Sequence, residues 1–486
     1  MSSKIFDYIV VGGGPCGLTC ALYLSKQGKS CCLIDKNDQL GGIHRVTRVN
    51  ELFTEHGPRI YSSAYVNFRK VLHLLGTNFD HLFVKYRFNI GSIGGESAGH
   101  LNLTEKMKVV WQFIKLTLGL NKRYLENTSV QLFAKTNNFS DEALDYLDRI
   151  CRLTDGAGAD RYSMFEFLAL INQNTFYHLY QPKNPNDKKL FILWEQKLLQ
   201  YNVTILKNTE VLDYKNINNL HVVRTNSNAE IKGNKIIFCI PPKPFVNILE
   251  KDQKLLHQWS LYNKIDMREW ALFNSYFNYI PISFHWRNKQ LLPKVWGFPK
   301  EDWGIAFIIL SDYMTPNINN QDFKDGLMIS TCITRPESIS KVTGKTAYQS
   351  NEEEVKQEVF RQLRISFPQL VSYDIALIHP KVYRNSNNEW QEEDTAYIKT
   401  YKHEFVNYKI PDVKGLYFVG TQNGNTFYNF TSLESAVTNA LFYLRDEEKI
   451  NITIEKPFEL VYFLRILIVL CLILFFYYHY HVSQKK

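Results

Sequence analysis

The stretch Ile5-Phe6-Asp7-Tyr8-Ile9-Val10-Val11-Gly12-Gly13-Gly14-Pro15-Cys16-Gly17 decides the fold. Its first seven residues form a short apolar, β-rich run that ends in glycines. Leu18 to Gln27 then reads as a helix and Lys29 to Ile34 as a second strand, completing a β-turn-α-turn-β unit of about 30 residues. Gly12, Gly14 and Gly17 occupy the GxGxxG positions between strand and helix. Gly12 permits the tight turn, Gly14 lets the backbone approach a pyrophosphate, and Gly17 lets helix and strand pack closely. Pro15 and Cys16 join the candidate cofactor set, ahead of a helix whose N-terminus offers free N–H groups and a positive dipole end to phosphate.

The glycine pattern alone is a weak signal, and Asp35 strengthens it. This residue ends the second strand, 18 residues after Gly17. A carboxylate there accepts hydrogen bonds from the ribose hydroxyls of an adenosine and disfavours a 2′-phosphate. Lys36 follows directly and joins the candidate cofactor set, as does the Gly41-Gly42 pair that follows within a few residues.

Beyond that point stand Leu40-Gly41-Gly42-Ile43-His44-Arg45 and Glu55-His56-Gly57-Pro58-Arg59. With the Rossmann fingerprint, these resemble the FAD-dependent amine oxidase and phytoene desaturase superfamily. Its usual GG-Arg is here GG-Ile43-His44-Arg45, so either Arg45 or Arg48 takes the phosphate-neutralising role. The resemblance returns at Gly415-Leu416-Tyr417-Phe418-Val419-Gly420, similar to that superfamily's last cofactor strand. Members usually follow its glycine with an acid; this chain has Thr421. Ser432-Leu433-Glu434-Ser435-Ala436 resembles the segment that opens a helix under the flavin's pyrimidine edge. By spacing alone Thr431 and Glu434 form a capping box. In the middle, the strand-like Val203 to Val211 looks like the one whose backbone meets the adenine.

The resemblance implies FAD as cofactor, with Val211, Gly420, Thr421, Leu433 and Glu434 in the binding set. Because flavin performs the hydride chemistry, the protein's task is to position substrate and tune the ring. Candidates beside the ring are Arg59, Phe427 and Tyr428, with Lys294 as the lysine near the flavin that many amine oxidases use.

Composition sets the bounds. A chain of 486 residues exceeds one compact core. A net charge of +9 is scattered, without a basic stripe or zinc-finger spacing, which argues against nucleic acid. Eight cysteines without a CxxC pair read as reduced buried thiols rather than a disulfide framework or a metal site. Near the C-terminus, Leu460 to Tyr480 is apolar or aromatic except for Arg465 and His479. At about 1.5 Å per residue it matches the ~30 Å hydrocarbon core, with Arg465 snorkelling to the headgroups.

The architecture expected is α/β: a Rossmann-like FAD-binding domain, an interleaved mixed α+β substrate domain and a C-terminal transmembrane helix. The FAD domain is discontinuous, built from residues 1–90, 200–250 and 395–450. Residues 91–199 and 251–394 make the substrate domain, and 458–480 the membrane helix. The function expected is an FAD-dependent oxidoreductase acting on an amine or a lipid- or isoprenoid-like substrate at a membrane surface, tail-anchored with its bulk in the cytosol. A flavin-dependent sugar-nucleotide mutase ranks second, and a non-catalytic FAD-binding membrane adaptor third.

Overall fold

The computed structural model describes residues 4–86, 100–274, 279–292, 302–314, 318–393, 397–401 and 405–484. Strand Ile5–Val11 lies at the centre of a seven-stranded sheet and pairs in parallel with Cys31–Ile34 on one side and Glu230–Phe238 on the other. Thr204–Leu206 extends the first side, again in parallel. On the second side Leu416–Phe418 joins Glu230–Phe238 in parallel, while Leu220–Thr225 and Val211–Ile217 continue antiparallel. Three remote stretches of chain therefore share one sheet.

Alternation of side chains along these strands supplies two cores. Tyr8, Val10, Leu33 and Ile237 face helices Pro15–Lys26 and Leu433–Asp446, packing on Leu18, Leu22, Val437 and Leu441. Ile9, Val11, Phe238 and Phe418 face the opposite way, onto helices Pro242–Leu249 and Gln253–Asn263. There Phe245 stacks on Phe418 at 3.9 Å between centroids, and Trp259 meets Phe245 edge-on. Each such fully buried side chain is worth about 1.5–3 kcal/mol.

A second, antiparallel sheet runs in the order Ile305–Ile309, Met328–Ile333, Ile280–His285, Ile375–Ile378. Helix Glu352–Ser366 covers it with Val355, Val359 and Leu363. The chain from Trp270 reads as β-like in sequence, but Trp270 itself sits in helix Met267–Phe273. Asp266 starts that helix early by accepting from the N–H groups of Arg268 and Glu269.

Helix Leu460–Ser483 has 24 residues and is about 36 Å long at the usual rise, enough to cross a bilayer. Its side chains are exposed along nearly the whole length. Arg465 does not reach outward as expected. Its guanidinium donates to the carbonyls of Thr117 at 2.6 Å and Leu116 at 3.2 Å. Those carbonyls end helix Leu103–Thr117, where the negative end of the helix dipole attracts a cation.

Candidate functional site

One long cavity of about 780 Å³ runs from the glycine turn to a chamber beside the second sheet. Its near end is built by backbone. Gly12 N donates to Ile34 O at 2.8 Å, and Gly12 holds φ +106°, where an L side chain would be strained. A Cβ on Gly17 would come within 1.9 Å of Gly12 O, so helix and strand meet there only because the residue is glycine. Gly14 faces the other way: a Cβ would meet only Gly42 Cα, at 3.8 Å. Gly41 and Gly42 both have positive φ and turn the chain back over the glycine loop, Gly41 N donating to Gly13 O at 2.8 Å.

Asp35 lines this end, largely buried. Its Oδ2 accepts from Gly13 N at 2.6 Å and its Oδ1 from Asn37 N at 2.8 Å. Burial raises its pKa, against the pull of these N–H donors. The carboxylate thus braces the glycine loop while bordering the cavity. Lys36 lines the same wall, its Nζ donating to Glu393 O at 2.9 Å, and Val211 closes it from the sheet edge.

The middle of the cavity is lined by Pro15, Cys16, Gly14, Gly42 and Arg45, and across from them by Gly420 and Thr421. Cys16 turns its thiol inward, 3.6 Å from Cys239 Sγ and 3.3 Å from Val419 O. The two candidate arginines lie in different places. Arg45 lines the cavity, with Nη1 donating to Gly42 O at 3.0 Å. Arg48 does not line it, and forms a bidentate pair with Asp187 at 2.6 and 3.1 Å.

Helix Leu433–Asp446 points its N-terminus at the cavity, where Thr431, Ser432, Leu433 and Ala436 lie on the lining. Its cap differs from the one the spacing suggests. Ser432 Oγ accepts from Ser435 N, and Ser435 Oγ from Ser432 N, so the reciprocal pair is shifted by one residue. Glu434 is released from capping and turned away from the lining. It accepts from the N–H groups of Asn67 and Phe68, at the start of helix Val66–Leu74.

At the far end Tyr61, Tyr65, Tyr428 and Phe430 form an aromatic wall opposite Phe307 and Ile308 of the second sheet. Tyr65 meets Tyr428 edge-on at 5.3 Å, and Tyr428 Oη donates to Asn174 Oδ1 at 3.1 Å. Arg59 lines this region and donates to Ile43 O, while its buried Nε has no hydrogen-bond partner among the described residues. Two of the expected residues do not reach the lining here. Phe427 is not on the lining; it packs on Phe442 at 5.4 Å, because the turn that presents Tyr428 inward sends its neighbour outward. Gly41 is also off the lining, its Cα closed over by Phe191. Lys294 lies outside the described residues.

Titratable groups that sequence reasoning missed also meet in the chamber. His56 Nε2 lies 3.1 Å from Glu392 Oε1, both side chains buried and both on the lining. Behind them, burial pushes Glu55 up to about 7 while Arg59 opposes it. His44 is held well below its usual range by burial, beside Tyr61 Oη at 3.3 Å. The Glu55-His56-Gly57-Pro58-Arg59 stretch stood out in sequence, but Glu392 is more than 300 residues away and carried no signal.

The sequence from residue 10 to 75 matches the NAD(P)-binding Rossmann-like domain family. Among solved structures, putrescine oxidase bound to putrescine superposes with a TM-score of 0.61 at 16% identity, over 92% of this chain and 100% of that one. Cyclohexylamine oxidase from Brevibacterium oxydans gives 0.55 at 11%, over 90% and 97%. The chain has the fold of these amine oxidases. An oxidoreductase from Methanosarcina mazei shares it too, at 0.61 and 14%, over 90% of this chain and 100% of that one. No curated protein matches the sequence.

Proposed function

We propose that this protein is an FAD-dependent oxidoreductase of the amine oxidase type, acting on an amine or a lipid- or isoprenoid-like substrate at a membrane surface. The observation that carries the reading is the continuity of one cavity from the Gly12–Gly17 turn to the aromatic chamber at Tyr65 and Tyr428. A dinucleotide with an extended ring system is the ligand that such a shape suits. The cavity's volume of about 780 Å³ lies within the roughly 300–1,000 Å³ usual for ligand sites.

The residues present fit FAD. Gly14, Pro15 and Gly42 border the cavity at the first turn of helix Pro15–Lys26, where a pyrophosphate would meet free backbone N–H groups. Asp35 would take the ribose hydroxyls, Val211 the adenine, and Arg45 the phosphate charge. The N-terminus of helix Leu433–Asp446 would favour negative charge at the ring's pyrimidine edge. Bound there, FAD supplies two-electron oxidation of a C–N or C–C bond. Arg59 and Tyr428 would border the ring, and the Tyr61, Tyr65 and Phe430 side chains exclude water from the substrate's apolar part. The His56–Glu392 pair would accept a proton or anchor an ammonium group within the chamber.

In this reading residues 1–90, 200–250 and 395–450 hold the cofactor, and 91–199 and 251–394 shape the substrate side. Helix Leu460–Ser483 crosses the membrane, with the preceding bulk on the cytosolic face. The test is the absorption spectrum of the detergent-solubilised full chain, before and after denaturation, followed by anaerobic addition of amines, isoprenoids and sugar nucleotides. Near-equimolar FAD bleached by an amine or isoprenoid supports the proposal. A folded, colourless protein that takes up no FAD refutes it. Turnover of a sugar nucleotide only after prior reduction would mark a mutase, and flavin that no donor reaches would mark an adaptor.

A further inference from the structure

Helix Leu103–Thr117 carries an apolar stripe that faces outward. Leu103, Met107, Val110, Trp111 and Ile114 recur at helical spacing, and Leu118 continues the same face. Leu103 is 75% exposed, Met107 58% and Trp111 53%, although the opposite face buries Leu116 and Glu105 against the body. Such a stripe on a soluble surface has no stabilising role, and contiguous exposed apolar area of this kind marks an interaction surface.

The charges on this helix are arranged for a particular occupant. Lys106 lies on one flank of the stripe and Lys115 on the other, by helical spacing, while Lys108 turns to the body and donates to Asn137 O. Lys115 Nζ stands 5.5 Å from the Trp111 ring. The helix's one acidic residue, Glu105, is buried and accepts from Asn102 N and Ser140 N, so it does not compete. Apolar residues centred between lysines, with a tryptophan at the margin, are the pattern of a helix lying in the headgroup boundary of an anionic bilayer.

The position of this stripe is fixed relative to the apolar C-terminal helix. Arg465 bonds the last carbonyls of the stripe-bearing helix. Val461 N donates to Asn172 Oδ1 at 2.8 Å, and Glu459 Oε1 accepts from Gln173 Nε2 at 2.7 Å, so the base of helix Leu460–Ser483 is locked to the body. Arg465 is the sixth residue of that helix, about 7.5 Å along it. Thus Thr117 is held beside the second turn of the apolar helix.

We propose that helix Leu103–Thr117 is a second, interfacial membrane contact, seating its Leu103–Leu118 stripe in the headgroup–acyl boundary of an anionic bilayer. This rests on the reading that Leu460–Ser483 spans the membrane. The contact makes the protein two-point attached.

The test uses the full chain reconstituted in vesicles of phosphatidylcholine and phosphatidylserine, with and without bromine on the acyl chains. The fluorescence difference between wild type and Trp111→Phe isolates Trp111, and flotation after alkaline carbonate reports insertion of the tail. Carbonate-resistant flotation with Trp111 emission blue-shifted and strongly quenched by bromine is the expected result. Carbonate-resistant flotation with unquenched Trp111 overturns the proposal and leaves the tail in place; the stripe then covers another surface, such as a second copy of the chain. Quenched Trp111 in protein that carbonate extracts overturns the spanning tail and keeps the interfacial helix. Absence of flotation overturns both.

Discussion

Glu434, on the helix that closes the cavity, accepts a hydrogen bond from the backbone N–H of Phe68 at 2.8 Å, 366 residues earlier in the chain. Its other oxygen accepts from Asn67 N at 3.0 Å and Asn67 Nδ2 at 2.8 Å. A carboxylate from the C-terminal part therefore caps the helix Val66–Leu74, which begins without a side-chain cap of its own. Burial pushes Glu434 up to about 7, while these donors pull the other way.

Glu434→Gln should destabilise the protein by about 1–3 kcal/mol, because an amide NH₂ replaces one acceptor and leaves a buried N–H unsatisfied. It should also change the pH profile. The folded carboxyl binds its proton more tightly than the unfolded one, at about 7 against 4.5. Its stabilising contribution is therefore full below about pH 4.5 and is lost as pH rises to about 7. Urea denaturation from pH 4.5 to 8 should show a shallower decline for the variant than for wild type. Parallel profiles would remove Glu434 from this account.

The glycines of the first turn should separate structure from ligand binding. Gly17→Ala places a Cβ 1.9 Å from Gly12 O and should cost about 3 kcal/mol or prevent folding. Gly14→Ala adds a methyl in ordinary contact range, so the melting temperature of the flavin-free protein should hardly move. Its affinity for FAD should nevertheless fall at least tenfold, about 1.4 kcal/mol, as measured by flavin fluorescence titration. Equal effects at both positions would contradict this division.

Arg45 and Arg48 should likewise part company. Arg48→Ala strands Asp187, whose side chain is 6% exposed, and should destabilise by about 3–5 kcal/mol. Arg45→Ala should leave folding near normal and weaken FAD binding, with a smaller dependence of affinity on salt. Calorimetry and flavin titration across ionic strength separate the two results. A loss of flavin affinity confined to Arg48→Ala would reverse the assignment.

Of the adjacent aromatics, Tyr428 should matter to the reaction and Phe427 should not. Tyr428→Phe removes the hydroxyl bonded to Asn174 and should alter the flavin spectrum and kcat/KM together. Phe427→Leu should leave both unchanged, since Phe427 packs on Phe442 off the cavity lining. Unchanged turnover in the first variant with loss in the second would show the opposite facing.

Local chemistry made much of the cofactor end legible. Glycines at 12, 14 and 17, an acid at 35 and a Gly-Gly pair at 41 and 42 act through backbone geometry within a short loop, and such geometry follows from residue type and spacing. The apolar C-terminal helix was equally readable, because its length and hydrophobicity are properties of one uninterrupted segment. The tertiary structure decided what depended on side chains meeting across the chain. It sent Arg48 to Asp187, Glu434 to Phe68, Arg465 to Thr117 and His56 to Glu392. In each pair both partners have several plausible local uses, and the choice is made by burial: once packing removes water, a charged or polar group takes the nearest partner that satisfies it. That partner is set by how distant strands and helices stack, which no local spacing encodes.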